Sequence, residues 1–497
     1  MPSAKPDHRF DNSAWQTAPF CQYRLAYEMF EAWGTAAARM SPQVISANPA
    51  TQTFAVDQWL DLFAPTNSPL TNPDVIAATW QQGGGNLVRG WQNYLADVFA
   101  LATPAPPIAE GFEPGTDVAV TPGKVVFRNS LIELIQYAPA TGEVKAEPIL
   151  IVPAWIMKYY VLDLSPHNSL IRYLVQQGYT VFCISWRNPG AEMRDLPFDA
   201  YRTDGLMAAL DTIEMICGDA EVHLCGYCLG GTLAAIATAA MARDGDMRLA
   251  SLSLLAAQTD FSEPGELQVF VCEAQIAALE QLMATKGYLD GSQMSSAFAL
   301  LRSRDLIWGR VIHRYWLGEG EHPNDLMAWN ANVTRMPARM HSEYLRSTYL
   351  RNDLAEERYE VDGAAVKLSD IQTPLFVLST ETDHVAPWQS VYKLSHLAPA
   401  ELTFVLTSGG HNAGVVSEPG HAGRHFRMNT VAASDTAPPV DQWLDQAPKH
   451  EGSWWQAWTV WLDEKSGDDL IVPPPMGGDD RNPETLDAAP GSYVMER

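Results

Sequence analysis

Several things are missing from this 497-residue chain, and each absence removes a class of function. Its longest apolar runs break well before the length needed to span a bilayer, so no transmembrane helix is expected. The opening residues 1–10 contain no apolar core followed by small residues, so a secretory signal is not expected and the cytoplasm is the default. Basic residues are scarce, 33 Lys+Arg against 59 Asp+Glu, and the formal charge of −26 repels polyanions. Nucleic acid is therefore excluded as a partner, and an anionic substrate needs a local basic patch. Only six cysteines occur, mostly inside apolar runs, which suits reduced thiols rather than a disulfide framework. No internal repeat is visible. Histidines His411, His421 and His425 lack the regular spacing to carboxylates or cysteines that a metal site uses, and neither a metal nor a cofactor is expected.

What is present divides along the chain. Up to about residue 101, apolar residues recur at helical spacing, as in Tyr23-Arg-Leu-Ala-Tyr-Glu-Met-Phe30, and Pro104-Ala-Pro-Pro107 marks a boundary. A helical N-terminal domain over 1–110 follows. Beyond Gly123 short β-rich runs alternate with helical ones. The runs Ile149-Leu-Ile-Val152, Thr180 to Trp186, Glu221 to Cys225, Leu252 to Leu255, Leu375 to Leu378 and Leu402 to Leu406 are among them. That pattern predicts βαβ units and a mostly parallel, doubly covered sheet over 111–470. More than a hundred residues separate the Leu252 and Leu375 strands, too many for a crossover. The helical, aromatic-rich stretch 261–370 is read as a cap insertion that shields the site and moves to admit substrate. Gly452 to Leu462 reads as an amphipathic helix, and the Pro/Asp/Gly-rich segment 471–497 as a poorly ordered tail.

The strongest chemical signal is Cys225-Gly-Tyr-Cys-Leu-Gly-Gly231, preceded by a strand and followed by a small-residue helix. It matches the G-x-S-x-G nucleophile elbow with Cys228 in the serine position. The turn is sharp, so Gly226 and Gly230 are needed where neighbours crowd the nucleophile. A helix N-terminus at Cys228 favours thiolate, and the Leu229 N–H faces a developing oxyanion. Two plainer readings compete: Cys225 and Cys228 as a C-x-x-C redox pair, or cysteines that are simply packed. The elbow makes a further demand, an acid and then a histidine at the ends of later strands. Asp383 follows the Leu375 strand and His411 follows the Leu402 strand, in that order. His384, beside the acid, is read as supporting rather than as the base. The second oxyanion donor is sought in the loop after Ile149-Leu-Ile-Val152, at Trp155 or Ile156. The fold class expected is the α/β-hydrolase fold, with a mostly parallel central sheet, a helical N-terminal domain and a large cap insertion.

Motifs spread over nearly the whole chain carry a resemblance. They include Asp7-His-Arg-Phe10, Ala64-Pro-Thr-Asn67, Val120 to Asn129, Lys158-Tyr-Tyr-Val-Leu-Asp-Leu164, Ser185-Trp-Arg-Asn-Pro189, Gly226 to Gly231, Asp383 to Trp388, Gly410-His411 and Ala489 to Val494. The sequence resembles the polyhydroxyalkanoate synthases, most of all their class I form. The resemblance implies that Cys228 carries the growing chain as a thioester, that His411 deprotonates it and that Asp383 assists activation of the incoming hydroxyl. It further implies an (R)-3-hydroxyacyl-CoA substrate, release of CoA, a growing polyester chain, a homodimer with Trp329 in the cap segment bordering the dimer contact, and residence at polymer granules in the cytoplasm. The loop His411-Asn-Ala-Gly-Val-Val-Ser-Glu-Pro-Gly420 departs from the family, whose members often carry an apolar residue after the histidine and Asn-Pro-Pro later. The residues alone leave open a thiol hydrolase of the same fold, either a depolymerase or an acyl-CoA thioesterase, and a granule-associated protein with a relic triad.

Overall fold

The computed structural model describes residues 8–40, 49–101, 111–320, 323–477 and 487–497. The expected boundary at Pro104 to Pro107 and the first seven residues lie outside the described residues, as do residues 478–486 of the tail. The chain forms two compact units. One comprises Met1–Pro107, Gln268–Phe270 and Gln293–Pro323, and the other the remainder. Residues 293–323, read from sequence as part of the cap, thus group with the N-terminal helices. Among the described residues no helix is long and apolar enough to cross a membrane.

The first unit is helical. Its main helices are α1 (Phe20–Met40), α2 (Pro49–Asp61), α3 (Pro73–Gln81) and α4 (Gly85–Leu101). The start of α3 is set by Asn72, whose side chain accepts from the N–H groups of Asp74 and Val75, with Pro73 at the first helical position. Asp61, almost fully buried, is neutralised by Arg9 at 2.9 Å and Arg304 at 3.0 Å.

The second unit is built on a ten-stranded sheet. Its strands are β1 (Gly123–Arg128), β2 (Ile132–Tyr137), β3 (Ile149–Val152), β4 (Val181–Trp186), β5 (Val222–Tyr227), β6 (Leu249–Leu255), β7 (Leu375–Thr380), β8 (Leu402–Thr407), β9 (His425–Val431) and β10 (Lys449–Glu451). They lie in the order β1-β2-β4-β3-β5-β6-β7-β8-β9-β10. The six from β4 to β8 run parallel, while β1, β2, β9 and β10 pair antiparallel at the edges. Strands β3, β4, β5, β7 and β8 are buried at every residue. That burial is why they are predominantly apolar: helices such as α5 (Leu170–Gln176), α6 (Ala208–Cys217) and α7 (Leu229–Asp244) cover the sheet.

The helix Trp454–Lys465 is more deeply set than an ordinary surface helix. Trp454, Trp455, Trp458 and Trp461 are all buried, with three of their rings around Phe376 of β7. The end of the chain corrects the expectation of a poorly ordered tail for residues 487–497. Glu133 on β2, fully buried, accepts from the N–H groups of Ser492 and Tyr493 and from the Ser492 hydroxyl, and Lys158 donates to the carbonyls of Tyr493 and Glu496.

Candidate active site

Three loops at the carboxyl ends of β5, β7 and β8 bring the candidate residues together, where an open parallel sheet places its chemistry. Strand β5 stops at Tyr227, and Cys228 turns the chain into α7 with φ 53° and ψ −121°. A positive φ is strained for any residue with a Cβ, and here it is held on both sides. The Cys228 N–H donates to Leu255 O at 2.9 Å, while its carbonyl accepts from the N–H groups of Gly231 and Thr232. The glycines are steric requirements. A Cβ on Gly230 would lie 2.0 Å from the Val152 carbonyl oxygen, and one on Gly226 would lie 2.4 Å from the Gly231 Cα. These contacts also place the loop after β3 directly against the elbow.

Asp383 lies three residues beyond β7 with its side chain fully buried. One oxygen, Oδ1, accepts from the N–H groups of Val385 and Ala386 at 2.9 and 2.8 Å. The other accepts the Nδ1–H of His411 at 2.7 Å. Burial pushes the carboxyl upward, but His411 and the two backbone donors outweigh it and hold it below its ordinary value. Burial likewise opposes charge on His411. The charge of Asp383, the sulfur of Cys228 and hydrogen bonds to both prevail, holding the imidazole well above its ordinary value. Nδ1 is committed to Asp383, so Nε2 is the nitrogen left for the thiol.

The His411 loop is pinned from behind. Arg424 donates to the carbonyls of Ser408 and Ala413, which bracket the histidine. The indoles of Trp454 and Trp455 donate to Gly414 O and Val415 O, each at 3.0 Å. In front, the ring of Tyr227 lies 5.8 Å from the imidazole and its hydroxyl donates to Asn412 Oδ1.

The remaining sequence candidates are distributed as follows. Leu229 is the first residue of α7. Trp155 and Ile156 lie on the loop after β3, where Thr334 donates its hydroxyl to Trp155 O at 2.6 Å and its N–H to Ile156 O at 3.4 Å. His384 directs its carbonyl to the Glu266 N–H, tying residues 265–266 to the Asp383 loop. His421 pairs with Glu418 and His425 with Glu381, so neither converges on His411. Cys225 is buried on β5, and burial pushes its thiol upward; it and Cys228 are both unbridged. Sequence reasoning missed Tyr344 and Tyr349, on and just after the helix Ala338–Leu345. Cys228 contributes to raising the pKa of both phenols, whose main cause is burial. It also missed Arg424, for which no local motif gives a sign.

Comparison with known proteins adds an independent line. The family described as poly-beta-hydroxybutyrate polymerase (PhaC) N-terminus matches residues 6–174, and the alpha/beta hydrolase fold family matches residues 147–417. A poly(3-hydroxyalkanoate) polymerase of Methylorubrum extorquens is 40% identical over 98% of this chain and 80% of its own length. The poly(3-hydroxyalkanoate) polymerase subunit PhaC of Rhizobium etli is 39% identical over 100% of this chain and 78% of its own. That of Cupriavidus necator is 35% identical over 99% and 83%.

Proposed function

The chain belongs to the PhaC family of poly(3-hydroxyalkanoate) polymerases, acyltransferase-type enzymes on an α/β-hydrolase fold, and from that premise we propose that it polymerises (R)-3-hydroxyacyl-CoA. In this reading CoA is released and the growing polyester is carried as a thioester on Cys228. The observation that supports it most is a cysteine at the strained elbow, paired with a histidine whose other nitrogen is bonded to a buried carboxylate.

Cysteine suits repeated transfer from CoA to an alcohol. In loading, His411 Nε2 takes the thiol proton, the Cys228 sulfur attacks the acyl-CoA carbonyl, and the CoA sulfur leaves with the proton that His411 returns. One thioester replaces another, so the step is close to thermoneutral and the acyl group stays activated. In elongation, the 3-hydroxyl of an acyl group loses its proton to His411 and attacks a thioester carbonyl. An oxyester forms, a thiol is regenerated, and the step runs downhill. A serine would make the oxyester at loading and spend that driving force before any chain grew. The Leu229 N–H, with a donor from the Trp155 to Ile156 loop, stabilises the oxyanion in each step. Asp383 acts through His411 by raising its basicity, which matters most when the proton comes from a poorly acidic hydroxyl. His384 supports the Asp383 loop. The working protein is a homodimer at the surface of cytoplasmic granules, with Trp329 near the dimer contact.

The test is incubation of the purified chain with (R)-3-hydroxybutyryl-CoA. Free CoA together with insoluble polymer is expected. CoA with only free hydroxy acid would make it a thiol hydrolase, and no CoA would make the triad a relic.

A further inference from the structure

The elbow and the base loop meet a second time, one residue removed from the chemistry on each side. Tyr227 precedes Cys228 and Asn412 follows His411, and the Tyr227 hydroxyl donates to Asn412 Oδ1 at 2.5 Å. The contacts close a ring. It runs from the Tyr227 side chain to Asn412, along the backbone to His411, across to Cys228, and along the backbone to Tyr227. Asp383 is not a member of this ring; it grips the imidazole from the Nδ1 edge.

The second contact has a distinct task. A single hydrogen bond at Nδ1 fixes one edge of an imidazole but allows the ring to swing about that bond, carrying Nε2 off the sulfur. The Tyr227 ring, 5.8 Å away and inclined by 35°, limits that swing. Tyr227 in turn needs its own restraint. It is 2% exposed, and a phenol buried without an acceptor costs about 1–3 kcal/mol. Burial and the neighbouring Cys228 and Asp383 keep it protonated, and so a donor. Asn412 supplies a neutral acceptor that fixes the ring without adding charge beside His411. Its own backbone is anchored, since its carbonyl accepts from the N–H groups of Val415 and Val416.

We propose that Tyr227 and Asn412 form a positioning pair, whose hydrogen bond sets the approach of His411 Nε2 to the Cys228 sulfur and thereby the rate of thiol acylation. This rests on the assignment of Cys228 and His411 as nucleophile and base. Neither member of the pair touches the reacting atoms, so the effect falls on acylation and not on substrate affinity.

A double-mutant cycle in the full chain tests it, with Tyr227→Phe, Asn412→Leu and the combination. Two readouts are taken: the rate of Cys228 alkylation by iodoacetamide, mapped by peptide mass with Cys272 as internal reference, and the first burst of CoA from (R)-3-hydroxybutyryl-CoA with its KM. Asn412→Leu strands a buried donor, and about a 10-fold fall in both rates is expected, with KM and the Cys272 rate unchanged. Tyr227→Phe alone falls less. The double variant recovers toward the Tyr227→Phe rates, because removing both partners leaves no orphaned group. Independent, multiplying losses, or single variants with unaltered Cys228 alkylation, would overturn the proposal. Should Asn412→Leu fail to fold, Asn412→Ala removes the same acceptor. Alkylation needs no turnover, so the cycle reads the pair even if CoA release persists in Cys228→Ala and the assignment of the nucleophile itself fails.

Discussion

Asp383 meets His411 through a single oxygen, Oδ2 at 2.7 Å from Nδ1, while its other oxygen is taken by two backbone N–H groups. In the mechanism proposed above the carboxylate acts on substrate through the imidazole. In that mechanism loading draws a proton from a thiol, which gives it up readily, and elongation draws one from an alcohol, which does not. Asp383→Asn is expected to leave the first burst of CoA near normal and to slow the steady state by roughly 100-fold or more. Intact-protein mass spectrometry should find a short hydroxyacyl chain on Cys228. Equal loss of burst and turnover would mean that Asp383 serves thiol and hydroxyl alike.

The two cysteines of the C-x-x-C should separate cleanly. Cys228→Ala is expected to abolish CoA release. Cys225→Ala, in the core of β5, should cost stability of about 1–2 kcal/mol and leave the chemistry in place. Rates of CoA release beside denaturation midpoints distinguish these outcomes, and equal inactivation would bring back a shared-thiol mechanism.

Gly230 has no room for a methyl group, since its Cβ would lie 2.0 Å from the Val152 oxygen. Gly230→Ala should destabilise by at least about 2–3 kcal/mol through backbone displacement. Gly142→Ala, where a Cβ meets nothing within 4 Å, should stay within about 0.5 kcal/mol of the parent. Urea denaturation of the pair checks both.

Arg424 holds the carbonyls on either side of His411. Arg424→Lys keeps the charge but cannot span both carbonyls, and activity should fall about 10-fold or more with KM little changed. A thermal melt within a few degrees of the parent, measured alongside, would assign the loss to the loop.

Two buried histidines predict acid lability. Burial lowers His223 and His341 to about 4, whereas an unfolded histidine titrates near 6.5. Between those values the unfolded state binds more protons, so the contribution of these two groups is constant above pH 6.5 and is lost as pH drops toward 4. Each contributes a loss on the order of 3 kcal/mol. Denaturation at pH 7 and pH 5 should show a smaller difference in His341→Gln than in the parent.

How much of this was legible in advance depended on the kind of signal. Strands β3, β4, β5, β7 and β8 announce themselves because burial on both faces favours runs that are mostly apolar and β-branched or aromatic. The placement of Cys228, Asp383 and His411 just beyond strand ends was legible because a strand followed by a reactive residue is a local pattern repeated in a fixed order. Strands β9 and β10 were not: His425–Val431 is mostly polar and only partly buried, and Lys449–Glu451 is exposed, so neither carries a hydrophobic period. Arg424 and the Tyr227–Asn412 bond were equally hidden. Their partners are backbone carbonyls in one case and a residue 185 positions away in the other, and no sequence window spans either.

The carboxylate of Glu133 has a consequence for how the chain matures on the ribosome. Its partners Ser492 and Tyr493 follow it by 359 and 360 positions. At typical translation speeds they arrive roughly 20 to 70 s after Glu133 has been made. During that interval Arg128 of β1 already pairs with the buried carboxylate, but the hydrogen bonds from Ser492 and Tyr493 are still missing. The β1–β2 edge is therefore completed by residues made long after it, and the full set of bonds to Glu133 is a late acquisition.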